Sequence, residues 1–284
     1  MKRSFSYTEN KPILYLVATP IGNLKEFSPR AIETIIDSDL IACEDTRNTA
    51  KLLSFFDIHK KLFSLHEHNE VSASIKLVEL IKTGMKVSYV SDAGFPAISD
   101  PGALLVKECL NNDINVSVVS GSNAMLMALV ASGLPTDHFY FHGFLSAKNS
   151  DRKKELEKMR EKEETLIFYE SPHRIDETLK SMFEIFGDRE TVIARELSKL
   201  HEEYIRGKLS ELVELEKETL KGEMVILIDG KKEIEIEISP AEIINEFDKL
   251  EDKYTTKDKI ELVAKSLKIK KNYVYRIINE KRAK

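Results

Sequence analysis

The sequence predicts an α/β protein with two α/β domains, the first on a parallel sheet and the second on a mixed sheet, plus a small C-terminal helical domain. Three observations predict it. Short, wholly apolar runs alternate with helical patterns through the first half of the chain, as in βαβ units. The polar, glycine-bearing clusters there follow the strands rather than precede them. After Leu134-Pro135-Thr136-Asp137 strands outnumber helices, and a basic segment closes the chain. The expected domains are 1–135, 136–232 and 240–284.

The first run, 13–18, is apolar throughout, the mark of a strand buried on both faces. It ends in Thr19-Pro20-Ile21-Gly22-Asn23. Ser28-Pro29 pairs a cap with a first-turn proline and opens a helix to about Asp37. A second strand, 40–43, runs into Glu44-Asp45-Thr46-Arg47 and a helix to Phe56. A third, 62–65, ends in His66-Glu67-His68-Asn69, before a helix over 72–82 that stops near Gly84. The fourth, 87–90, leads into the longest cluster, Ser91 to Gly102, which holds two acids, two glycines and two prolines. Within it, Asp100 is expected to cap the helix over 103–110, with Pro101 in the first turn. A fifth strand, 116–119, ends in Ser120-Gly121-Ser122-Asn123 and an apolar helix over 124–131. Strand ends of a parallel sheet share one edge, so these five clusters become neighbours, where ligands bind in open α/β sheets.

In the second domain, 139–141 and 144–145 are strand-like, and the charge-alternating 151–164 predicts a solvated helix. Strand 166–169 enters Glu170-Ser171-Pro172-His173-Arg174 and a helix ending at Gly187. Strand 191–194 enters Arg195-Glu196-Leu197-Ser198-Lys199. A short strand at 204–207, a helix over 209–220 and a strand at 224–228 follow. Residues 231–239 read as a linker or edge strand. Helices over 241–248, 259–267 and 272–279 come last, the final two with helix-turn-helix proportions.

The 284 residues exceed one ordinary domain and suit two. The net charge of −5 conceals an asymmetry: 257–284 carries ten Lys/Arg against three acids, leaving −12 for the rest. A basic end on an acidic chain suggests a polyanionic partner there; a solvated tail is the plain alternative. No apolar run approaches the ~20 residues of a membrane span. The first ten residues are polar with no signal region, so a cytoplasmic protein is expected. Cys43 and Cys109 fit neither a disulfide framework nor metal spacing and read as buried thiols. His66 and His68 lack a third ligand, so no metal site is expected. A Walker A sequence, a Gly-x-Gly-x-x-Gly after the first strand and a nucleophile elbow are all absent, which disfavours P-loop, nicotinamide and serine-hydrolase chemistry. Gly22, Gly94, Gly121 and Gly133 allow close backbone approach to a ligand, and Asp92 and Asp100 can answer a cation or hydroxyls. Each alone also reads as a turn former; together they suit a nucleoside-like ligand.

The chain resembles the tetrapyrrole-methylase superfamily and, within it, the ribosomal RNA small subunit methyltransferase I family. The resemblance rests on Leu16-Val17-Ala18-Thr19-Pro20-Ile21-Gly22-Asn23-Leu24, Glu44-Asp45-Thr46-Arg47, Ser91 to Gly102, Tyr169-Glu170-Ser171-Pro172-His173-Arg174, Ala194-Arg195-Glu196-Leu197-Ser198-Lys199 and Gly222-Glu223-Met224-Val225. It runs from about 14 to 230, and the basic tail is similar to that family's C-terminal domain. Four positions depart from the family pattern: Phe95 for threonine, Ser120 and Ser122 for the prolines of Pro-Gly-Pro-Ser-Ala, and Ser146 for proline.

The resemblance implies a homodimer that methylates the ribose 2′-oxygen of a decoding-site cytidine in 16S rRNA within the small ribosomal subunit. It implies S-adenosylmethionine in a cleft between the two α/β domains, held by Pro20, Gly22, Asp92, Ala93, Gly94, Phe95, Gly121, Asn123 and Ala124 from the first, and Tyr169 and Met224 from the second. Glu170, His173 and Glu196 are candidate bases, Glu196 favoured. Glu196 as an ion-pair partner of Arg195, Lys199 or Arg174, and His173 as a helix-start residue, are the structural alternatives. Arg174 and Lys199 are expected on the RNA backbone. Asp45 and Arg47 would wall the substrate cleft, with Asp45 as a helix cap the alternative. Three rival readings stay open: a corrin or porphyrin methylase on the same fold, a non-enzymatic nucleic-acid binder resting on the tail, and a phosphate-handling α/β hydrolase.

Overall fold

Apolar runs buried on both faces need cover on both, and the fold supplies it. The computed structural model describes residues 12–216, 220–232, 238–251, 254–267, 269 and 271–282. Strands β1 (Ile13–Val17), β2 (Leu40–Cys43), β3 (Lys61–Ser64), β4 (Val87–Val90) and β5 (Asn115–Val119) form a sheet of order β3-β2-β4-β1-β5. Every pairing in it is parallel. Helices α1 (Pro29–Asp37) and α2 (Thr46–Phe55) cover one face; α3 (Glu70–Lys82) and α4 (Ala103–Asn111) cover the other. Alternate residues of one strand serve different cores: Leu40 and Ala42 pack with Leu77 and Leu105, whereas Ile41 and Cys43 pack with Ile35 and Leu53. Cys43 and Cys109 are buried free thiols.

The start of α4 corrects one expectation. Asp100 does not cap it. Gly102 is the N-cap, at φ +125°, without a side-chain cap of its own. The cap comes from α3: Glu70 Oε1 accepts from the amides of Gly102 (2.8 Å) and Leu104 (3.1 Å). Tyr89, fully buried in β4, donates its hydroxyl to the Pro101 carbonyl at 2.8 Å, and its ring fills the space a Cβ on Gly102 would need. Left-handed backbone at Ala97 (φ 66°) and Ser99 (φ 61°) turns the loop before it reaches the helix.

Helix α5 (Ala124–Ser132) follows β5 but packs elsewhere. Asn123 caps it, accepting from Leu126 N at 2.9 Å, and left-handed Gly133 ends it. Its Ala128 and Leu129 sit among Ile167, Val192, Ala194, Val225 and Leu227 of the second sheet. That sheet comprises β6 (Phe139–Phe144), β7 (Thr165–Glu170), β8 (Glu190–Arg195), β9 (Glu203–Lys208) and β10 (Met224–Ile228) in the order β6-β7-β10-β8-β9. It is mixed, as expected: only β6 and β7 pair in parallel. Helices α6 (Asn149–Glu157), α7 (Ile175–Phe186) and α8 (Leu209–Leu212) pack on its other face. The second sheet is therefore closed by a helix that the first one delivers. From β9, Arg206 donates to the free carbonyls of Ala131 (2.5 Å) and Ser132 (3.1 Å) at the end of α5.

Three element expectations need revision. The pieces 139–141 and 144–145 are one strand, with a register shift between Phe141 and Gly143. The solvated helix over 151–164 ends at Glu157, and its Arg152 is 2% exposed, donating to Ser181 Oγ, Ala147 O and Asn149 Oδ1. The helix over 209–220 stops at Leu212; 217–219 lie outside the described residues.

Both sheets belong to one compact unit, Met1–Lys231, and a second spans Lys232–Lys284. Of the linker or edge strand expected at 231–239, residues 233–237 lie outside the described residues. In the second unit α9 (Pro240–Asp248), α10 (Thr256–Ser266) and α11 (Lys271–Arg282) enclose Ile243, Phe247, Ile260, Val263, Val274 and Ile278. Capping boxes at Ser239/Glu242 and Thr255/Asp258 fix the starts of α9 and α10.

Glu70→Ala leaves two amides of α4 without their partner. It is expected to lower unfolding free energy by about 1–2 kcal/mol in urea titrations, with Glu70→Gln recovering part of the loss.

Candidate active site

The carboxyl ends of β1, β2, β4 and β5 meet the ends of β7 and β10 around a cavity of about 460 Å³. Backbone pairing builds its floor. Thr19 and Gly94 exchange amide–carbonyl bonds at 2.9 and 3.1 Å, and Thr19 Oγ1 donates to the Ser91 carbonyl at 3.2 Å. These bonds tie the loop after β1 to the loop after β4. The first-sheet wall presents Ile21, Glu44, Asp92 to Phe95, Ile98 to Asp100, Asn123 and Ala124. The second-sheet wall presents Phe144, Tyr169 to Pro172, Leu197 and Glu223 to Val225.

Many of the residues expected at a cofactor do line this cavity: Asp92, Ala93, Gly94, Phe95, Asn123, Ala124, Tyr169 and Met224. Pro20, Gly22 and Gly121 do not; they shape the loops beneath. Gly121 lies so close to Ala18 that a Cβ there would fall 2.9 Å from the alanine Cβ. Gly22, at φ +155°, is covered by the aliphatic stem of Lys199. Two of the three serine departures make hydrogen bonds: Ser122 Oγ donates to Glu26 at 2.6 Å, and Ser146 N donates to Glu155 at 3.0 Å. Phe95 supplies an apolar stretch of the wall.

The candidate bases fare differently. Glu170 reaches the cavity, but each of its oxygens is already engaged: Oε2 accepts from Thr178 Oγ1 at 2.6 Å and Oε1 from Ser171 N at 2.8 Å. Arg174 Nε lies 3.4 Å from Glu170 Oε1 without hydrogen-bond geometry, so this contact is Coulombic only. Glu196, left-handed at φ 51°, is outside the lining and accepts from Lys199 Nζ at 3.0 Å. His173 is exposed and also outside it. The cations expected on RNA are likewise engaged. Arg174 donates to the Leu145 carbonyl at 2.5 Å, and Lys199 also lies 3.5 Å from Glu223. Burial works against the Lys199 ammonium, but the hydrogen bond to Glu196 and the charges of Glu223 and Glu196 outweigh it and raise its pKa. Arg47 forks onto Asp45 (2.6 Å at the closest) while 84% exposed. Asp45 both caps α2 and holds Arg47, which draws its pKa down to about 2.

Sequence reasoning gave Glu44 no cofactor role and placed Asp100 in a helix cap first and at the ligand second. Both line the cavity. Burial raises the Glu44 carboxyl, with Asp92 and Asp45 adding repulsion. Burial also pushes Asp100 up to about 6, with Glu44 and Asp92 repelling its charge and a Ser91 hydrogen bond opposing the rise. Asn48 Nδ2 donates to Asp92 at 2.8 Å. Among the described residues the lining holds five carboxylates, Glu44, Asp92, Asp100, Glu170 and Glu223, and no Lys, Arg or His.

The tetrapyrrole (corrin/porphyrin) methylase family model matches residues 13–213. A Bacillus subtilis protein named ribosomal RNA small subunit methyltransferase I is 46% identical over 235 residues, 82% of this chain and 80% of that one. Its namesake from Halalkalibacterium halodurans is 42% identical over 98% of this chain and 99% of its own. The chain belongs to the ribosomal RNA small subunit methyltransferase I family. Solved structures share the fold at much lower identity. Diphthine synthase matches at a TM-score of 0.60 and 14% identity, over 78% of this chain and 90% of its own. Uroporphyrin-III-C-methyltransferase from Thermus thermophilus matches at 0.56 and 16%, over 77% and 94%.

A carboxyl group raised in the folded state costs stability once it ionises. The Asp100 contribution is therefore most favourable below its ordinary pKa of 3.8 and declines as pH rises through about 6. Asp100→Asn is expected to be more stable than the parent at pH 7.5, on the order of 1 kcal/mol after solvent screening. Thermal melts across pH should show that advantage vanishing below pH 4.

Proposed function

We propose that this chain is a methyltransferase that uses S-adenosylmethionine to methylate the ribose 2′-oxygen of a cytidine in the decoding region of 16S rRNA. The observation that carries the cofactor reading is the charge of the lining. Five carboxylates and no basic side chain face a cavity whose other walls are Ile21, Phe95, Leu197, Met224 and Val225. A cationic, partly apolar ligand suits it; a polyphosphate does not. The basic segment 257–284, which a small tetrapyrrole would leave without a task, favours RNA over a corrin or porphyrin as substrate. The volume falls in the range that ligands of this size occupy, so the residues present fit the group. Bound there, S-adenosylmethionine supplies an electrophilic methyl on a sulfonium cation.

The residues have separable tasks. Asp92, oriented by Asn48, meets ligand hydroxyls or the cation. Tyr169 and Phe144, with ring centroids 5.5 Å apart, offer aromatic surface to a base. The N-terminal amides of α5, beside Asn123, favour a carboxylate. Glu170, locked by Thr178 and Ser171, keeps the β7 end rigid. Lys199, Arg174 and Arg47 give the rim positive charge for an RNA backbone, each held in place by an acid or carbonyl. Methyl transfer to an alcohol is an in-line displacement, so alignment within the cavity is the main service.

The second unit is read as an RNA anchor. On α11, Tyr275 is 58% exposed and Arg276 stacks on Tyr273, while Lys271 and Lys281 are tied to Glu261 and Asp248. The expected basic residues Lys268, Lys270 and Lys284 lie outside the described residues. A homodimer is part of the proposal, supported by apolar side chains left exposed on β5 (Val118) and α5 (Leu126, Val130). No helix among the described residues is long and apolar enough to cross a membrane, and the substrate places the activity in the cytoplasm.

The test incubates the protein and labelled S-adenosylmethionine with small subunits from cells lacking the native enzyme, followed by nucleoside mass spectrometry. A 2′-O-methylcytidine in the decoding region is expected; unmodified 16S rRNA overturns the reading. Asp92→Ala should weaken cofactor binding about tenfold or more by calorimetry, the loss of a hydrogen-bonded charge. Removing 257–284 should weaken RNA binding and its salt dependence while leaving cofactor binding intact.

A further inference from the structure

We infer that Asp100 is the proton acceptor for the attacking hydroxyl, an assignment that rests on the methyltransferase reading above. The inference begins from the inventory of the cavity. A base must reach the reacting oxygen, own a free lone pair and lie where the methyl acceptor enters. Glu170 accepts a hydrogen bond on each oxygen from its own wall. Glu223 lies 3.5 Å from Lys199, Asp92 is held by Asn48 and assigned above to the ligand's hydroxyls or cation, and Glu196 and His173 lie outside the lining. Glu44 and Asp100 remain.

Asp100 is distinguished by how the chain delivers it. Its loop takes two left-handed non-glycine turns, at Ala97 and Ser99, conformations that cost energy. The helix start where an aspartate would ordinarily sit is served instead by Glu70, 32 residues away in sequence. Asp100 is thereby released from a structural task and turned to the cavity. It also sits in the first-sheet wall opposite Tyr169, whose hydroxyl titration feels its charge. The groups facing it are Glu44 beyond β2, Asp92 and Ser91 beyond β4, the Tyr89 hydroxyl and Tyr169 of β7. Burial, with repulsion from Glu44 and Asp92, raises its proton affinity toward neutrality, where a general base works best.

The step balances as follows. The hydroxyl O–H bond breaks and its proton passes to an Asp100 carboxylate oxygen. The oxygen's electron pair forms the bond to the methyl carbon, and the carbon–sulfur bond breaks with its pair retained on sulfur, which leaves as a neutral thioether. Asp100 then returns its proton to water.

Two measurements on the full-length protein test this. Calorimetry at pH 6 in buffers of different ionisation enthalpy counts protons released on binding S-adenosylmethionine. A sulfonium near a half-protonated carboxyl drives release, so the parent should release protons, S-adenosylhomocysteine should release fewer, and Asp100→Asn should release none. Single-turnover methylation of small subunits should be about 100-fold slower in Asp100→Asn, with cofactor affinity within about tenfold of the parent and the acid limb of the pH–rate profile gone. Asp100→Glu should recover part of the rate and restore a limb. The inference is overturned if Asp100→Asn keeps the parental rate, keeps the acid limb, or loses affinity in proportion to rate. If the parent itself transfers no methyl to small subunits, the functional reading fails with it, and the proton count still reports whether Asp100 faces the cation.

Discussion

The site depends on a two-residue backbone exchange. Thr19 and Gly94 bridge the loops that leave β1 and β4, adjacent central strands of the first sheet. Without that pair, the loop from Asp92 to Asp100 would be a long surface excursion. With it, the loop lies across the strand ends as a wall. Tyr89 pins the far end through the Pro101 carbonyl, and Glu70 anchors the helix that follows. The wall is held by backbone and buried groups, so its acidic side chains are free for chemistry.

The opposite wall is held by a helix borrowed across the molecule. Helix α5 is apolar on nearly every side, which a single surface would not justify. Its inner residues complete the second core, and Arg206 secures its last carbonyls. The cavity's two walls are thus positioned by one continuous element. Carboxylates line the cavity, and Lys199, Arg174 and Arg47 lie outside that lining, each already engaged. Under the proposed function this keeps a cationic ligand apart from a polyanionic one.

Much of this was legible in the sequence because burial on both faces leaves an unmistakable mark. The five strands of the first sheet and the polar clusters after them follow from uninterrupted runs such as 13–18 and 40–43. Those clusters marked the ligand-binding edge with Asp92, Asp100 and Gly94; the remaining first-sheet residues came from the family resemblance. What escaped was tertiary. Asp100 followed by Pro101 has the local look of a cap, but Glu70 takes that task from another helix, and no local pattern reveals it. Arg152 sits in a charge-rich helix that looks solvated, yet four acceptors, Ser181, Ala147, Asn149 and Glu177, allow it to be buried. Glu196 has a base's position in the motif, and only the reach of Lys199 over Gly22 shows that its carboxylate is committed. The cluster at 66–69 shares the sheet edge but follows β3, the outermost strand, and so stays away from the cavity.

Under the proposed function one cavity, walled by both sheets, receives the cofactor. Hydrogen–deuterium exchange of the full-length protein with and without S-adenosylhomocysteine reads out both walls together. Protection is expected in two separated segments at once, 92–100 of the first wall and 223–225 of the second. Protection confined to one wall, or found at neither, would contradict the account.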